Sequence, residues 1–227
     1  MSVANHPIFY PTFHGQVESV EALLKKDPIL VNVRDAKNLK PLHVAASRGQ
    51  DSVARLLLEY GADVNGPRDG EEWTPLIFAS YRGHCAVVKV LLEHGAGLTE
   101  EYGNPIHYAG QRKHKEVCGL LSEHGAVDGV IASKDPELQW MLRAVYSFDH
   151  VCVKTVLSKR PEFLQVKDVH GKTFLHVACT FGDTRTVRIL LNFGADTRIR
   201  DGQGQRPVDC ASAHRQHKVV KILEQHV

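Results

Sequence analysis

The fold of this 227-residue chain is decided by one stretch, which starts Lys40-Pro41-Leu42-His43-Val44-Ala45 and ends Gly61-Ala62-Asp63-Val64-Asn65. Proline suits the first turn of a helix, because the amide it lacks would be unpaired there. Apolar residues from Val53 to Leu58 recur at helical spacing. Gly61 follows them, where glycine closes a helix in the left-handed conformation. The stretch therefore predicts a short helix, a tight turn, a longer helix and an extended turn.

This unit recurs along the chain. Its aliphatic anchor, Leu42 in the stretch above, returns every 30 to 35 residues, a spacing typical of repeat proteins. The anchors are Ile8, Leu42, Leu76, Ile106, Met141, Leu175 and Val208. One helix pair cannot bury its apolar face alone, so neighbouring units must share a core. We predict an all-α solenoid that forms a single domain over residues 1–227. Its seven units lie at about 5–35, 36–68, 69–100, 101–130, 135–167, 168–200 and 201–227.

The short sequence motifs of this unit resemble those of the ankyrin repeat, whose unit of about 33 residues carries Thr-Pro-Leu-His. Leu42-His43-Val44-Ala45-Ala46 and Thr74-Pro75-Leu76 carry the match. The resemblance covers nearly the whole chain. It implies helix-turn-helix units joined by β-hairpin-like turns, and a concave groove that holds a partner protein. The fifth unit departs most, because it lacks Pro-Leu-His and has Phe148 where Gly49 and Gly83 stand in other units.

Composition raises the question of a metal, since 14 histidines accompany 5 cysteines. Most of these histidines occupy repeat positions, and for the one in the repeat word the resemblance implies a structural role. That position holds His43, His107 and His176. The strongest zinc alternative is Cys210, His214 and His217, but with a joint between helices near Arg215 they need not share one face. We predict no metal and no cofactor.

We also predict that the chain is not an enzyme. Gly-x-Ser-x-Gly, phosphate-loop and His-Glu-x-x-His motifs are absent, and a repeat that occupies the chain leaves little room for a catalytic site. Cys85, Cys118 and Cys152 near helix starts keep a reactive thiol as an alternative. Five scattered cysteines without a CxxC pair indicate reduced thiols, hence the cytoplasm or the nucleus. With no signal peptide and no run of about 18–20 apolar residues, we expect no membrane insertion.

The resemblance places two positions of each unit, just after the paired small residues, in the groove. The first holds Phe13, Ser47, Tyr81, Gln111, Tyr146, Thr180 and Ala213, and the second His14, Arg48, Arg82, Arg112, Ser147, Phe181 and His214. Arg48, Arg82 and Arg112 form a run over three successive units, which we call the Arg ladder. Arginine and aromatic residues are enriched at binding hot spots. The predicted partner-binding residues are Arg48, Trp73, Tyr81, Arg82, Arg112, Tyr146 and Phe181. The alternative is a merely solvated Arg ladder, with Trp73 covering its own hairpin.

The predicted function is a non-catalytic interaction module, monomeric on its own, that holds an acidic or phosphorylated segment of an unidentified partner protein. One alternative is a substrate receptor or regulatory subunit of a larger enzyme complex, such as a ubiquitin ligase or phosphatase. Another is nucleic-acid binding through the basic C-terminal end, around Arg198, Arg206 and Lys218. Net charge of +2 makes nucleic acid the weaker choice. Asn65 lies in a context that resembles the one recognised by a 2-oxoglutarate-dependent asparaginyl hydroxylase, and it is a hydroxylation candidate.

Overall fold

The computed structural model describes residues 6–67, 73–98, 104–125 and 135–226. In these ranges every regular element is a helix and no strand occurs, so the all-α prediction is confirmed. Short and long helices alternate except in the fifth unit, where the first helix is the longer one. They are α1 (Phe9–His14), α2 (Val17–Lys26), α3 (Pro41–Arg48), α4 (Asp51–Glu59), α5 (Pro75–Arg82), α6 (Cys85–Glu93), α7 (Pro105–Gln111), α8 (Lys115–Glu123), α9 (Pro136–Ser147), α10 (His150–Lys159), α11 (Phe174–Phe181), α12 (Thr184–Asn192), α13 (Pro207–Ala213) and α14 (His217–Glu224). Single 3-10 helices, Pro28–Asn32 and Pro161–Gln165, follow α2 and α10.

Residues 1–120 form one of two parts into which the chain divides. The short helices pack in the order α1, α3, α5, α7, and the long helices in the order α2, α4, α6. The anchors that begin the short helices are at most 1% exposed. They are Ile8, Leu42, Leu76 and Ile106. The repeated aliphatic residue therefore builds the core between the two layers.

Residues 121–227 form the other part, and it repeats the same arrangement. Helix α11 packs between α9 and α13, and α12 packs between α10 and α14. Its buried residues include Met141, Leu157, Leu175 and Val219. The prediction of one continuous domain over 1–227 stays a prediction.

The turn inside each unit explains why glycine recurs there. Gly83 ends α5 with a φ of 79°, a left-handed value that other residues adopt only at a cost. A Cβ atom at Gly83 would lie 2.6 Å from His114 Nδ1. His114 Nε2 in turn lies 3.0 Å from the carbonyl oxygen of Tyr81. The small residue lets the imidazole of the next unit reach the backbone of the previous one.

The turn between units is a hairpin-like loop that starts with aspartate. In the described loops, the aspartate amide donates to the carbonyl of the fourth residue after it, at 2.9 to 3.0 Å. The aspartate Oδ1 accepts the amide of that same fourth residue, at 2.7 to 2.9 Å. The three aspartates are Asp35, Asp168 and Asp201. The predicted hairpin-like connections are therefore present where the structure describes the loops.

The fifth unit is built differently. Helix α9 has 12 residues, against 6 to 8 in the other short helices, and it begins at Pro136. Asp135 caps it by accepting the amides of Glu137 and Leu138 at 2.9 and 3.4 Å. Arg160, just after α10, binds the carboxylates of Asp135 and Glu137. A helical turn thus precedes the anchor Met141.

Candidate protein-interaction surface

The Arg ladder lies on one row of packed helices. Arg48 and Arg82 are the last residues of α3 and α5, and Arg112 is the C-cap of α7. All three side chains are exposed. Because α3 packs on α5 and α5 packs on α7, the same position on each helix recurs along one face.

Two of the three arginines stack on aromatic rings of the preceding unit. The guanidinium carbon of Arg48 lies 3.8 Å from the ring centroid of Phe13, and that of Arg112 lies 4.5 Å from Tyr81. Stacking uses the face of a guanidinium and leaves its N–H edge for a carboxylate or phosphate. Within the described ranges, none of the three arginines forms an ion pair. The rings hold two cations in place without neutralising them.

Trp73 packs in an aromatic cluster and is half-buried. Its ring centroid lies 5.0 Å from Phe78, 5.4 Å from Tyr81 and 5.0 Å from Tyr108. These rings belong to α5 and α7, so Trp73 covers two helices. Part of its surface is thus used inside the protein, and its contact with a partner stays a prediction.

A third repeat position on this face is absent from the residues predicted from the sequence. The residues two places after the anchors of the first four units are Tyr10, Val44, Phe78 and Tyr108. Tyr10 is 68% exposed, and the other three are half-buried. Three aromatic residues at one repeat position were a visible signal. With Phe13 and Tyr81, they give the face of residues 6–120 an aromatic floor.

A cavity of about 380 Å³ lies between the first three units, beside Arg48 and Arg82. Phe13, Leu39, Val44 and Phe78 supply its apolar wall, and Asp35, Lys37 and Ser47 complete the lining. The Asp35 Oδ1 atom is already engaged, because it accepts the amides of Lys37 and Leu39. The cavity thus places an apolar wall beside two exposed arginines.

Asn65 joins two units. Its Oδ1 atom accepts the amide of Gly97 at 2.7 Å, and its Nδ2 atom donates to the carbonyl of Gly95 at 3.4 Å. Asn32 makes matching bonds one unit earlier, to Gly61 and Asp63. Asn65 therefore bonds beyond its own turn, and its hydroxylation stays a prediction.

Comparison with known proteins identifies the repeat. The family model for ankyrin repeats (many copies) matches residues 42–92, and the model for ankyrin repeats (3 copies) matches residues 141–226. The two matches cover more than half of the chain.

The chain belongs to the ankyrin-repeat family.

Two solved structures resemble the ankyrin-repeat chain over almost its whole length. The human ASB11 ankyrin repeat domain is 26% identical, with a TM-score of 0.64 and 98% of each chain covered. The ankyrin repeat domain of Bcl-3, a member of the IkappaB protein family, is 24% identical, with a TM-score of 0.60 and coverage of 97% and 98%. The second likeness supports the fold alone.

Curated relatives match shorter stretches. ADP-ribosylation factor GTPase-activating protein AGD4 of Arabidopsis thaliana is 44% identical over 55 residues, which is 24% of this chain and 7% of that protein. Serine/threonine-protein kinase VIK of the same plant is 43% identical over 58 residues, 26% of this chain and 13% of that protein. The ankyrin-repeat chain thus spans 13% or less of these relatives' length.

Tyr146 and Phe181 require a correction. We predicted them as exposed aromatic anchors, but each is only 1% exposed. Their ring centroids lie 5.6 Å apart, and Phe148 lies 6.3 Å from Phe181. The bulky Phe148 at a position that is glycine in other units adds a third ring, and the three pack as core. The contact surface predicted there is wrong.

The histidines at the turns and in the repeat word link ankyrin units. His84 Nε2 lies 3.2 Å from the carbonyl oxygen of Ser47, and His176 Nε2 lies 3.1 Å from that of Gln205. His43 is fully buried, its Nδ1 atom accepts the amide of Lys40, and burial lowers its pKa to about 4. His84 and His176 thus bond to a neighbouring unit, which for His176 is what the resemblance implied, whereas the bond of His43 to Lys40 lies within its own unit.

The thiols are poorly suited to nucleophilic chemistry. Burial raises the pKa of Cys118 to about 12, and it also raises the pKa of Cys85 and Cys152. A protonated thiol is a weak nucleophile. The reactive-thiol alternative therefore has no support in these three environments.

The zinc alternative does not gain support from the geometry. Cys210 is buried within α13, His214 caps that helix, and His217 begins α14 after Arg215, whose φ is 55°. His214 Nδ1 bonds the carbonyl of Cys210 at 2.9 Å. In the parts of the chain that the structure describes, no group of three or more histidine, cysteine or acidic residues is arranged to hold a metal.

The basic C-terminal end is partly neutralised. Arg206 pairs with Asp209 at 3.1 Å, and Arg200 Nη1 donates to the carbonyl of Gly204 at 2.6 Å. Arg185, Arg188 and Lys218 are exposed.

Among the described helices, none has the length and apolar character that a membrane span needs.

Proposed function

We propose that this chain is a non-catalytic interaction module that binds an acidic or phosphorylated segment of a partner protein on the face carrying the Arg ladder. Ankyrin repeats generally mediate protein–protein interaction, and the proposal gives that general role a surface and a ligand chemistry. It places the module in the cytoplasm or the nucleus, since all five cysteines are free.

One observation carries the proposal. Three arginines stand at one position on three helices that pack in sequence, and they form no ion pair within the described ranges. Charge-assisted bonds from a guanidinium to a carboxylate or phosphate are roughly twice as strong as neutral ones. An aromatic floor beside such cations supplies the apolar contact that binding hot spots need.

The test is capture of partners from a lysate by three versions of the chain. One is unchanged, and one has Arg48, Arg82 and Arg112 replaced by Glu. The control has Arg185, Arg188 and Lys218 replaced by Glu, which makes the same change in net charge at exposed positions of residues 121–227. We expect specific partners to be lost with the ladder variant and kept with the control. Recovery of the same proteins in equal yield by all three would contradict the proposal.

The control variant also tests the nucleic-acid alternative. Binding to phosphate backbones falls steeply as salt rises. If nucleic acid is retained at low salt by the unchanged chain and lost with the control variant, the basic C-terminal end is the binding site. The regulatory-subunit alternative stays a prediction, and it needs a second binding segment for the enzyme.

A further inference from the structure

The Arg ladder has a spacing that selects the conformation of its ligand. Packed helices lie about 8–10 Å apart, and the ladder advances by one packed helix at each step, from α3 to α5 to α7. The backbone positions that carry the three arginines therefore recur at about that interval, which sets the mean spacing of the cationic groups. A ligand that engages all three must present acidic groups on one side at the same interval.

Polyproline II geometry meets this requirement. It has three residues per turn and a rise of about 3.1 Å, so every third side chain falls on one side about 9 Å further along. In a β-strand, side chains on one side recur at about 6.6 Å. In an α-helix they recur at about 5.4 Å, and two turns give about 11 Å. Polyproline II places one acidic residue opposite each arginine.

The surface around the ladder suits the same conformation. Proline-rich polyproline II segments dock in aromatic-lined grooves. Here the floor is made of aromatic residues, which are Tyr10, Phe13, Phe78, Tyr81 and Tyr108. Arg48 and Arg112 lie against Phe13 and Tyr81 at 3.8 and 4.5 Å.

The cavity of about 380 Å³ adds a requirement for one apolar side chain. It lies beside the first two arginines of the Arg ladder, Arg48 and Arg82. Its apolar wall is the one described above, and Val44 is half-buried within it. The cavity therefore favours a ligand with an apolar residue between the two acidic residues that face Arg48 and Arg82.

We propose that the Arg ladder binds an acidic peptide segment in polyproline II conformation, with an acidic residue at every third position and an apolar residue between the first two. This inference rests on the proposed function. It narrows the ligand from any acidic segment to one whose acidic residues recur at a defined spacing. The charge complementarity comes from three arginines that form no ion pair within the described ranges.

The test uses synthetic fluorescent peptides and the full chain, with binding followed by anisotropy. The in-phase peptide is four copies of Glu-Pro-Leu. The out-of-phase peptide has the same composition, with its glutamates placed side by side. Two further peptides carry glutamate at every second or at every seventh position. In two others, derived from the in-phase peptide, Gln replaces each Glu or Ala replaces each Leu. Each is measured against the unchanged chain, the ladder variant and the control variant defined above.

We expect the in-phase peptide to bind the unchanged chain and the control variant at least about ten-fold more tightly than the out-of-phase peptide, a difference of about 1.4 kcal/mol. The ladder variant and the Gln peptide should lose binding, and the Ala peptide should bind several-fold more weakly.

Equal binding of the two phases, with both lost in the ladder variant, would overturn this inference and leave the proposed function standing. Tighter binding of the every-second or every-seventh peptide would overturn it in favour of a strand or a helix. No binding by the in-phase peptide would also overturn it, and the proposed function would still be decided by the lysate capture.

Discussion

Phe148 combines two opposing energies in one residue. Its φ of 60° is left-handed, which costs a non-glycine residue about 1–2 kcal/mol. Its ring is 6% exposed and packs near Phe181, and removing a buried phenylalanine ring costs about 3–5 kcal/mol. Because the free energy gained by packing the ring is larger than the cost of the left-handed backbone, Phe148 stabilises the fold on balance.

We therefore predict that Phe148→Gly lowers the free energy of unfolding by about 2 kcal/mol, although glycine is what other units carry. Denaturant unfolding measures the change. Lys113→Gly is the matched control, because Lys113 has a φ of 61° at the same repeat position and an exposed side chain. It should raise the free energy by up to about 1 kcal/mol. A stabilising Phe148→Gly would show that strain outweighs packing.

His43 couples folding to pH. Burial lowers its pKa to about 4 in the folded chain, whereas the unfolded value is about 6.5. The unfolded chain thus takes up the proton first. The contribution of His43 to stability is complete above about pH 6.5 and is lost as the pH falls toward about 4.

The prediction compares unfolding at about pH 7 and about pH 5. The unchanged chain should lose about 2 kcal/mol more over this interval than His43→Gln, which cannot titrate there. His176, whose pKa burial also lowers, is present in both proteins, so its contribution cancels. Parallel pH profiles for the two proteins would refute the assignment.

Asn65 shows what a side chain contributes when it joins two units. Its two bonds to Gly95 and Gly97 are lost in Asn65→Ala. We expect the free energy of unfolding to fall by about 1–2 kcal/mol, because the backbone groups lose their partner. Asn192→Ala, at an exposed position of α12, is the control and should change little. Equal effects of the two substitutions would mean that the bridge contributes nothing measurable.

At the scale of elements, the ion pairs of Arg160 fix the start of α9. Its Nη2 and Nη1 atoms lie 3.1 and 2.8 Å from carboxylate oxygens of Asp135 and Glu137, and its Nε atom binds Glu162. The neighbouring arginine lowers the pKa of the Glu162 carboxyl, and bonds from the backbone amides and Arg160 lower that of Asp135. The contacts join α9, the end of α10 and the following 3-10 helix.

We predict that Arg160→Gln speeds hydrogen exchange of the amides in the first turns of α9 several-fold at neutral pH, with smaller effects in α11 and α13. The control is Lys159→Gln, an exposed neighbour of the same charge. The difference between the two variants should shrink only as the pH falls well below about 4, the ordinary carboxyl value, because the pKa values of Asp135 and Glu162 are lowered in the folded chain. Unchanged exchange in α9 would show that Asp135 caps the helix without help from Arg160.

The alternation of helices follows from sequence because each element carries its own signals. Pro75 and Thr74 begin α5, and Gly83 ends it. The Arg ladder was predictable for the same reason, since the repeat register fixes which positions face outward. Contacts between units are a different matter. That Arg48 stacks on Phe13 depends on two side chains 35 positions apart in the sequence.

Whether Tyr146 and Phe181 are exposed or buried depends on packing between units, which the repeat register does not specify. The Phe181 position is exposed at Arg48, Arg82 and Arg112, and the Tyr146 position is 39% exposed at Phe13. The extra ring of Phe148 at a glycine position changes what those positions contact. A pattern read one unit at a time cannot give that result, because the third ring comes from a turn that the pattern assigns to glycine.

At the scale of the whole molecule, net charge hides the pattern that matters. The chain has 28 basic and 26 acidic residues, hence +2 overall. Many of these charges pair locally, as Arg206 does with Asp209 and Arg55 with Glu93. In the described part of the chain the Arg ladder forms no such pair, and its three arginines recur at one position of helices that pack in sequence. Binding chemistry is therefore set by which charges are left exposed, and the sum of charges says little about it.

The most direct test of this account is site-specific photo-crosslinking in lysate. A photoreactive residue replaces Ser47, which lines the cavity beside Arg48 and Arg82, and in a matched chain it replaces Ser212, an exposed residue of α13. We predict that the residue at position 47 crosslinks to segments rich in acidic or phosphorylated residues, and that these adducts disappear when Arg48, Arg82 and Arg112 become Glu. Adducts from Ser47 that lack acidic residues, or that persist in the ladder variant, would contradict it.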